Sequence, residues 1–288
     1  MQFPTYFADA ESSLTDASFV LFGVPFEKTS SFRHGADKAP YEIRQASWNF
    51  ERYDLRNSVN FEHVLIHDFG DLDVKNLTSK EVFQTTKTFT SHVLSKKKIP
   101  IGIGGDHSIT PGIVSAFPKD IAVISLDAHM DFRQEYKNDT NNHACVIRRV
   151  ADHIPIDHIA VLGIRSAEKE EYEQAQKQGL FFRDAFTINT IGLEKTIQQT
   201  KSLLKGKKIY LTIDIDVVDP AYAPGTSTPE PFGLTPTQVI EIIEEFSPWL
   251  IGCDLVEVCP PYDHGQTAVL AAKLIQTSIG LIWKQRKA

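Results

Sequence analysis

Short apolar runs recur along the chain and are separated by segments with helical spacing. The runs are Phe19–Gly23, Val64–His67, Ile99–Ile103, Ile121–Leu126, His158–Leu162, Ile209–Ile215 and Leu250–Leu255. Several are nearly continuous in Val, Ile and Leu instead of alternating with polar residues. That is how strands covered on both faces read. Between them, Thr78 and Glu81 have the spacing of a capping box ahead of Val82, Phe83, Phe89 and Val93. Val239, Ile242, Ile243 and Phe246 fall on one helical stripe, and Pro236 suits that helix's first turn. Ala268–Ile282 reads as a longer, mostly buried helix. This alternation predicts one α/β domain over residues 1–288 with a largely parallel sheet. The one stretch dense in Pro and Gly, Asp219–Pro236, starts at the end of a strand, so it is read as an active-site loop rather than a domain boundary.

Composition narrows the class. Of 288 residues, 42% are hydrophobic and 23% charged, the balance of a globular protein, and the formal net charge is -7. An acidic chain without a basic stripe predicts neither a nucleic-acid partner nor an anionic membrane surface. No apolar run is long enough to span a bilayer, and MQFPTYFADAESS has no secretory pattern, so a cytoplasmic location is expected. Cys145, Cys253 and Cys259 show no paired spacing, which suits a reducing compartment.

The chemistry lies where apolar strands run into acids. The segment Ile121–Arg133, IAVISLDAHMDFR, places Asp127, His129 and Asp131 at alternate positions. The segment TIDIDVVDP does the same with Asp214 and Asp216, and Asp219 before Pro220 reads equally well as a turn residue. Extended backbone would put each set on one face. A third strand runs into GGDHS, where Gly104 and Gly105 permit a tight turn before Asp106 and His107. Any one of these motifs has a bland explanation as a cap, a turn or a satisfied core histidine. Three at strand ends have none in common, and the carboxyl ends of parallel strands are where α/β sheets bind ligands. Four carboxylates and two imidazoles without a thiolate suit a hard or borderline cation such as Mn²⁺. Six ligands are too many for one tetrahedral site and fit a bridged pair. A pair of dications against four carboxylates and a hydroxide leaves the site slightly negative, so a cationic substrate is not repelled.

The motifs GGDHS, SLDAHMD and DIDVVDPAYAPGTSTP resemble the signatures of the ureohydrolases, the arginase and agmatinase superfamily, and FGVPF, GADKAPYEIR, DFGD and LVEVCPPYD extend the likeness over nearly the whole chain. The resemblance implies a three-layer α/β/α fold, trimeric or hexameric assembly, and two Mn²⁺ per subunit. It assigns one ion to His107, Asp127, Asp131 and Asp214, and the other to Asp127, His129, Asp214 and Asp216. Asp131 would also orient a bridging hydroxide. His143, in NNHAC, matches the proton-shuttle histidine, and Glu257, in VEVCP, the glutamate that grips the guanidinium. Thr228 is a further expected substrate contact. Alone, His143 reads as a loop histidine and Glu257 as a strand-end acid.

Substrate choice is narrower. The loop RQEYKNDTNNHAC lacks the Ser-Gly-Asn pattern with which arginases read an amino acid's α-groups. Formiminoglutamases, whose motif DFR resembles, usually lack the shuttle histidine. HACVIRR and PPYDHGQTA are similar to bacterial and archaeal agmatinases, although Ser227 stands where GTGTP is more usual and Met130 is an uncommon intervening residue. The expectation is therefore agmatine hydrolysis to putrescine and urea. Aminopropyl-agmatine, guanidinobutyrate and arginine are the alternative substrates, and a non-catalytic polyamine- or metal-binding protein is the rival from another class.

Overall fold

The computed structural model describes residues 3–287. Its strands are Phe19–Val24 (β1), Tyr53–Asp54 (β2), Val59–Asn60 (β3), Ile66–Asp71 (β4), Ile99–Gly104 (β5), Ala122–Leu126 (β6), Ile159–Ile164 (β7), Phe181–Asp184 (β8), Ile209–Asp214 (β9) and Leu250–Val256 (β10). The helices are Ala39–Ser47 (α1), Ser79–Ser95 (α2), Thr110–Val114 (α3), Val146–Ala151 (α4), Lys169–Gln178 (α5), Ala185–Ile191 (α6), Leu193–Leu203 (α7), Pro236–Phe246 (α8) and Gln266–Lys287 (α9). Eight strands form one sheet in the order β4-β1-β5-β10-β9-β6-β7-β8, and β2 and β3 make a separate hairpin. Every pairing within the large sheet is parallel.

The continuous apolar strands explain the layering. In β1, Phe19 and Leu21 join one buried cluster while Phe22 and Val24 join the other, and β6 divides likewise between Ala122, Ile124, Leu126 and Val123. One cluster is closed by α1, α8 and α9 through Ile43, Val239, Ile242 and Ile275; the other by α2, α3 and α4 through Val82, Ile113 and Val146. Both faces are therefore dry, as the absence of alternation predicts. The capping box at Thr78 and Glu81 is formed, and α8 starts at Pro236 behind a second box between Thr235 and Gln238. Strand β8, with its mixed sequence FFRD, and helices α1, α5, α6 and α7 are not among the elements read from the apolar pattern.

Chain order explains where a site can form. The chain passes from β5 to β6 and later inserts β9 and β10 between them. The four central neighbours β5, β10, β9 and β6 thus end side by side, each running directly into a polar motif. Irregular structure fills most of Val218–Thr235, as expected of the Pro- and Gly-rich loop. Among the described residues no helix is long and apolar enough to cross a membrane.

Candidate metal centre and active site

Two short groups of ligand-type side chains meet at the carboxyl ends of these strands. His107, Asp127 and Asp214 form one, Asp127, His129 and Asp216 the other, and Asp127 belongs to both. The Nδ1 of His107 lies 3.2 Å from Asp127, 3.4 Å from Asp131 and 3.4 Å from Asp214. The Nδ1 of His129 lies 2.9 Å from Asp216 and 3.7 Å from Asp127. All six side chains expected as ligands are therefore brought together.

Strand alternation is not what gathers them. The strands stop at Leu126 and Asp214, and Ile215–Val217 is a 3₁₀ turn. Asp216 reaches the cluster from that turn, where its amide donates to Asp214 (2.9 Å) and its carboxylate accepts the Ala128 amide (3.0 Å). Asp131 has φ 49°, a left-handed conformation costly for a residue with a Cβ. It is clamped there: its carbonyl accepts the Ile147 and Arg148 amides, and the next amide, of Phe132, donates to buried Glu171 (2.6 Å). The glycine reading also changes. Gly105 is required because a Cβ would lie 2.0 Å from the Phe26 carbonyl oxygen, a close approach and not a left-handed turn. Asp219 takes the turn role, with its carboxylate accepting the Ala221 and Gly233 amides.

The electrostatics call for positive charge. Asp127 and Asp216 are wholly buried, Asp131 and Asp214 nearly so, and buried carboxylates so close together cannot all ionise unaided. Burial, then repulsion from Asp127, pushes Asp131 up to about 7. Burial and the charges of Asp216 and Asp127 raise Asp214 well above the carboxylate range. Asp216, equally desolvated by burial, is nonetheless held down to about 2 by His129. Burial alone would lower His107, but Asp127, Asp131 and Asp214 together raise it well above a normal imidazole.

Two buried atoms, His107 Nδ1 and Asp127 Oδ2, have no hydrogen-bond partner among the described residues. They are 3.2 Å apart. The other ring nitrogen of His107 has a partner. Asp254 accepts hydroxyl protons from Thr212 (2.5 Å), Tyr210 (2.7 Å) and Thr110 (3.0 Å), so Thr212 is left with lone pairs, one of which accepts from His107 Nε2 at 2.9 Å. Nδ1 is thereby left to face carboxylate oxygens, which calls for a positive charge between them: a proton, as the raised basicity of His107 reflects, or a metal ion in its place. A second-sphere tether of this kind is typical of metal-ligating imidazoles. The donor set, oxygen and imidazole without sulfur, fits a pair of divalent ions.

Beside the cluster, a cavity of about 190 Å³ is lined by His129, Asp131, Arg133, Tyr136, His143, Ser166, Glu171, Asp214, Thr228 and Glu257, among others. Each residue expected to meet substrate reaches it. Glu257 also sits at positive φ (63°) and is clamped: its amide donates to Gly105 (2.8 Å) and its carboxylate accepts the His107 amide (2.7 Å). Burial, with repulsion from Asp106, raises its acid to about 8. His143 begins a 3₁₀ turn capped by Asn142, and burial lowers its imidazole to about 4, leaving it neutral at pH 7. Thr228 Oγ1 lies 3.4 Å from Asp216. Cys145 is fully buried and burial pushes its thiol up to about 12, which disfavours the reactive thiolate.

Sequence reasoning passed over several supports. Arg165 donates to the Asp216 and Glu230 carbonyls (2.6 and 2.7 Å), fastening the Asp219–Pro236 loop to the end of β7. Thr212 and Asp254 were hidden because a polar residue inside an apolar strand announces burial but not its partner. Arg133 stacks over Tyr136 and faces Glu171 at the cavity wall.

A three-layer α/β/α domain with paired His/Asp groups at its central strand ends defines a metal-site hydrolase of the ureohydrolase kind. The arginase family model matches residues 17–280, and the chain belongs to that family. An agmatinase of Bacillus anthracis is 33% identical over 277 residues, 94% of this chain and 93% of that one. An N(1)-aminopropylagmatine ureohydrolase of Thermococcus kodakarensis is 36% identical over 278 residues, 93% of this chain and 92% of its own. Among solved structures, the agmatine ureohydrolase of Thermoplasma volcanium superposes with a TM-score of 0.94 at 39% identity, covering 100% of this chain and 97% of that one. The fold class read from the sequence is thereby shown, and the chain is a ureohydrolase.

Proposed function

We propose that this protein is a manganese-dependent agmatinase, cleaving agmatine and water to putrescine and urea. The observation that carries the reading is the pair of buried His/Asp groups sharing Asp127, with Glu257 facing the same cavity. His107, Asp127, Asp131 and Asp214 would hold one ion, and Asp127, His129, Asp214 and Asp216 the other. When bound, such a pair supplies Lewis-acid activation of water.

The protein's own groups do the rest. Glu257 is an acceptor rigidly aimed by the His107 amide, and its carboxyl is costly to ionise in isolation. An entering guanidinium is protonated at neutral pH and supplies the missing charge, so Glu257 selects guanidines and orients them. His143, neutral and at the cavity wall, accepts a proton from the attacking water and returns it to the departing alkyl nitrogen. The water oxygen adds to the guanidinium carbon, the C–N bond to the alkyl nitrogen then breaks, and the substrate's positive charge leaves on that nitrogen, giving neutral urea and an alkylammonium. Asp131 and Thr228 border the reacting carbon's place in the cavity. The agmatinase and aminopropylagmatine ureohydrolase relatives support a decarboxylated guanidine, as does a loop before His143 without the arginase pattern. A cytoplasmic homo-oligomer, trimer or hexamer, completes the proposal.

The test is urea release from agmatine, aminopropyl-agmatine, guanidinobutyrate and arginine, with added Mn²⁺ and after chelation. Manganese-dependent release with agmatine preferred is expected. Preference for arginine would overturn the assignment of the loop, and no urea from any of the four would overturn the enzymatic reading.

A further inference from the structure

A buried run of hydrogen bonds approaches His143 from behind. Thr29, on the loop after β1, is 4% exposed, and Asp106 is fully buried. The Thr29 hydroxyl and amide both donate to Oδ2 of Asp106, at 2.9 and 3.0 Å. The other oxygen of Asp106 takes the amide and hydroxyl of Ser108. The same Thr29 Oγ1 lies 3.2 Å from His143 Nδ1 and accepts the His143 amide at 3.0 Å.

A threonine has one hydroxyl proton, and a carboxylate attracts it more strongly than a neutral imidazole nitrogen does. With that proton directed at Asp106, Oγ1 offers only lone pairs to His143. The ring must then carry its hydrogen on Nδ1. Its Nε2 has no hydrogen-bond partner among the described residues.

We infer that Thr29, held by Asp106, is a positioning residue that fixes His143 as the Nδ1–H tautomer and presents a basic Nε2 to the reacting groups. This rests on His143 carrying the proton, as proposed above. Nε2 takes the proton released by water and passes the same proton to the leaving nitrogen. Nδ1–H stays on Thr29 throughout, and neither Thr29 nor Asp106 changes charge. Without Oγ1, the ring can rotate and the Nε2–H tautomer, which cannot accept a proton at Nε2, competes. Thr29 lies between FGVPF and GADKAPYEIR, in a segment that the sequence patterns leave without a role.

The experiment compares Thr29→Val, Thr29→Ser and His143→Asn with the wild type on the panel's best guanidine. It reads kcat, KM, manganese content and melting temperature. Thr29→Val is expected to lose about 10- to 100-fold in kcat, the usual cost of removing such an orienting partner, with KM within about twofold and full manganese content. Thr29→Ser, which keeps the oxygen, should restore kcat to within about threefold of wild type. Wild-type kcat in Thr29→Val, or a Thr29→Ser variant equally impaired, overturns the inference. Full activity in His143→Asn overturns the parent reading instead. Should Thr29→Val not fold, nitrogen NMR of isotopically labelled histidine in the wild-type protein decides: a protonated Nδ1 at His143 is expected, and a protonated Nε2 with bare Nδ1 overturns it.

Discussion

Two clusters of charge with buried members sit in this fold, and they are treated differently. Near the sheet's outer edge, Arg44 of α1 meets Asp68 and Asp71 of β4. Arg44 donates to both oxygens of Asp68 (2.7 and 2.9 Å) and to Asp71 (2.6 Å), while the Phe7 and Gly70 amides fill the remaining lone pairs of Asp68. Burial alone would lower the Arg44 guanidinium, but Asp68 and Asp71 raise it instead. Every charge there has a protein partner. At the carboxyl ends of β5, β6 and β9, four aspartates face two imidazoles, and His107 Nδ1 and Asp127 Oδ2 have no hydrogen-bond partner among the described residues. A fold that satisfies Asp68 so fully is able to satisfy Asp127 as well. The difference marks the second cluster as built for something from outside, and the strained backbones of Asp131 and Glu257 beside it agree.

This contrast can be broken at several points. Asp127→Asn removes the one carboxylate common to both ligand groups, and should lower kcat/KM on the order of a thousandfold or more together with manganese content. Unchanged activity in that variant would dismiss the shared role. Arg44→Met leaves Asp68 buried and uncompensated, so chemical denaturation should show a loss of about 3–5 kcal/mol while metal content and turnover per folded molecule persist. Chelation should do the reverse: catalysis vanishes, while unfolding free energy falls by about 3 kcal/mol relative to manganese at a hundredfold excess over its Kd.

A pH prediction follows from His143. Its imidazole is depressed from 6.5 to about 4, so the folded state binds fewer protons than the unfolded chain between those values. Stability from this group is complete above pH 6.5 and is lost as pH falls through that window. His143→Asn should therefore show a shallower acid-side decline than wild type in denaturation series. Identical slopes would count against a neutral, half-buried imidazole. Smallest of all, Thr228→Ala removes one long hydrogen bond to Asp216 and should raise KM about threefold with manganese retained.

Much of this is legible in the sequence. Two-sided strands read as unbroken apolar runs, so the sheet's central members emerged directly, whereas β8 and α5, with their polar composition, did not. The ligands were legible because acids at the ends of apolar strands are costly without a purpose. Their geometry was not. Asp131 and Asp216 reach the cluster through a left-handed residue and a 3₁₀ turn, which alternation cannot encode. The supports were the least visible. Thr29, Asp106, Thr212 and Asp254 act across 77 and 42 residues of chain. Nothing local in the sequence pairs a hydroxyl with a carboxylate that far away. Likewise, GADKAPYEIR and DFGD extend the family likeness without stating a role, and the fold joins them through the Arg44–Asp68 and Arg44–Asp71 ion pairs.

The most direct measurement is manganese bound per chain, by calorimetric titration of metal-stripped protein, with urea release from agmatine followed on the same samples. The account predicts two ions per chain, with turnover appearing as they bind and both lost in Asp127→Asn. A protein that binds no manganese, or that hydrolyses agmatine equally well without any divalent metal, would contradict it.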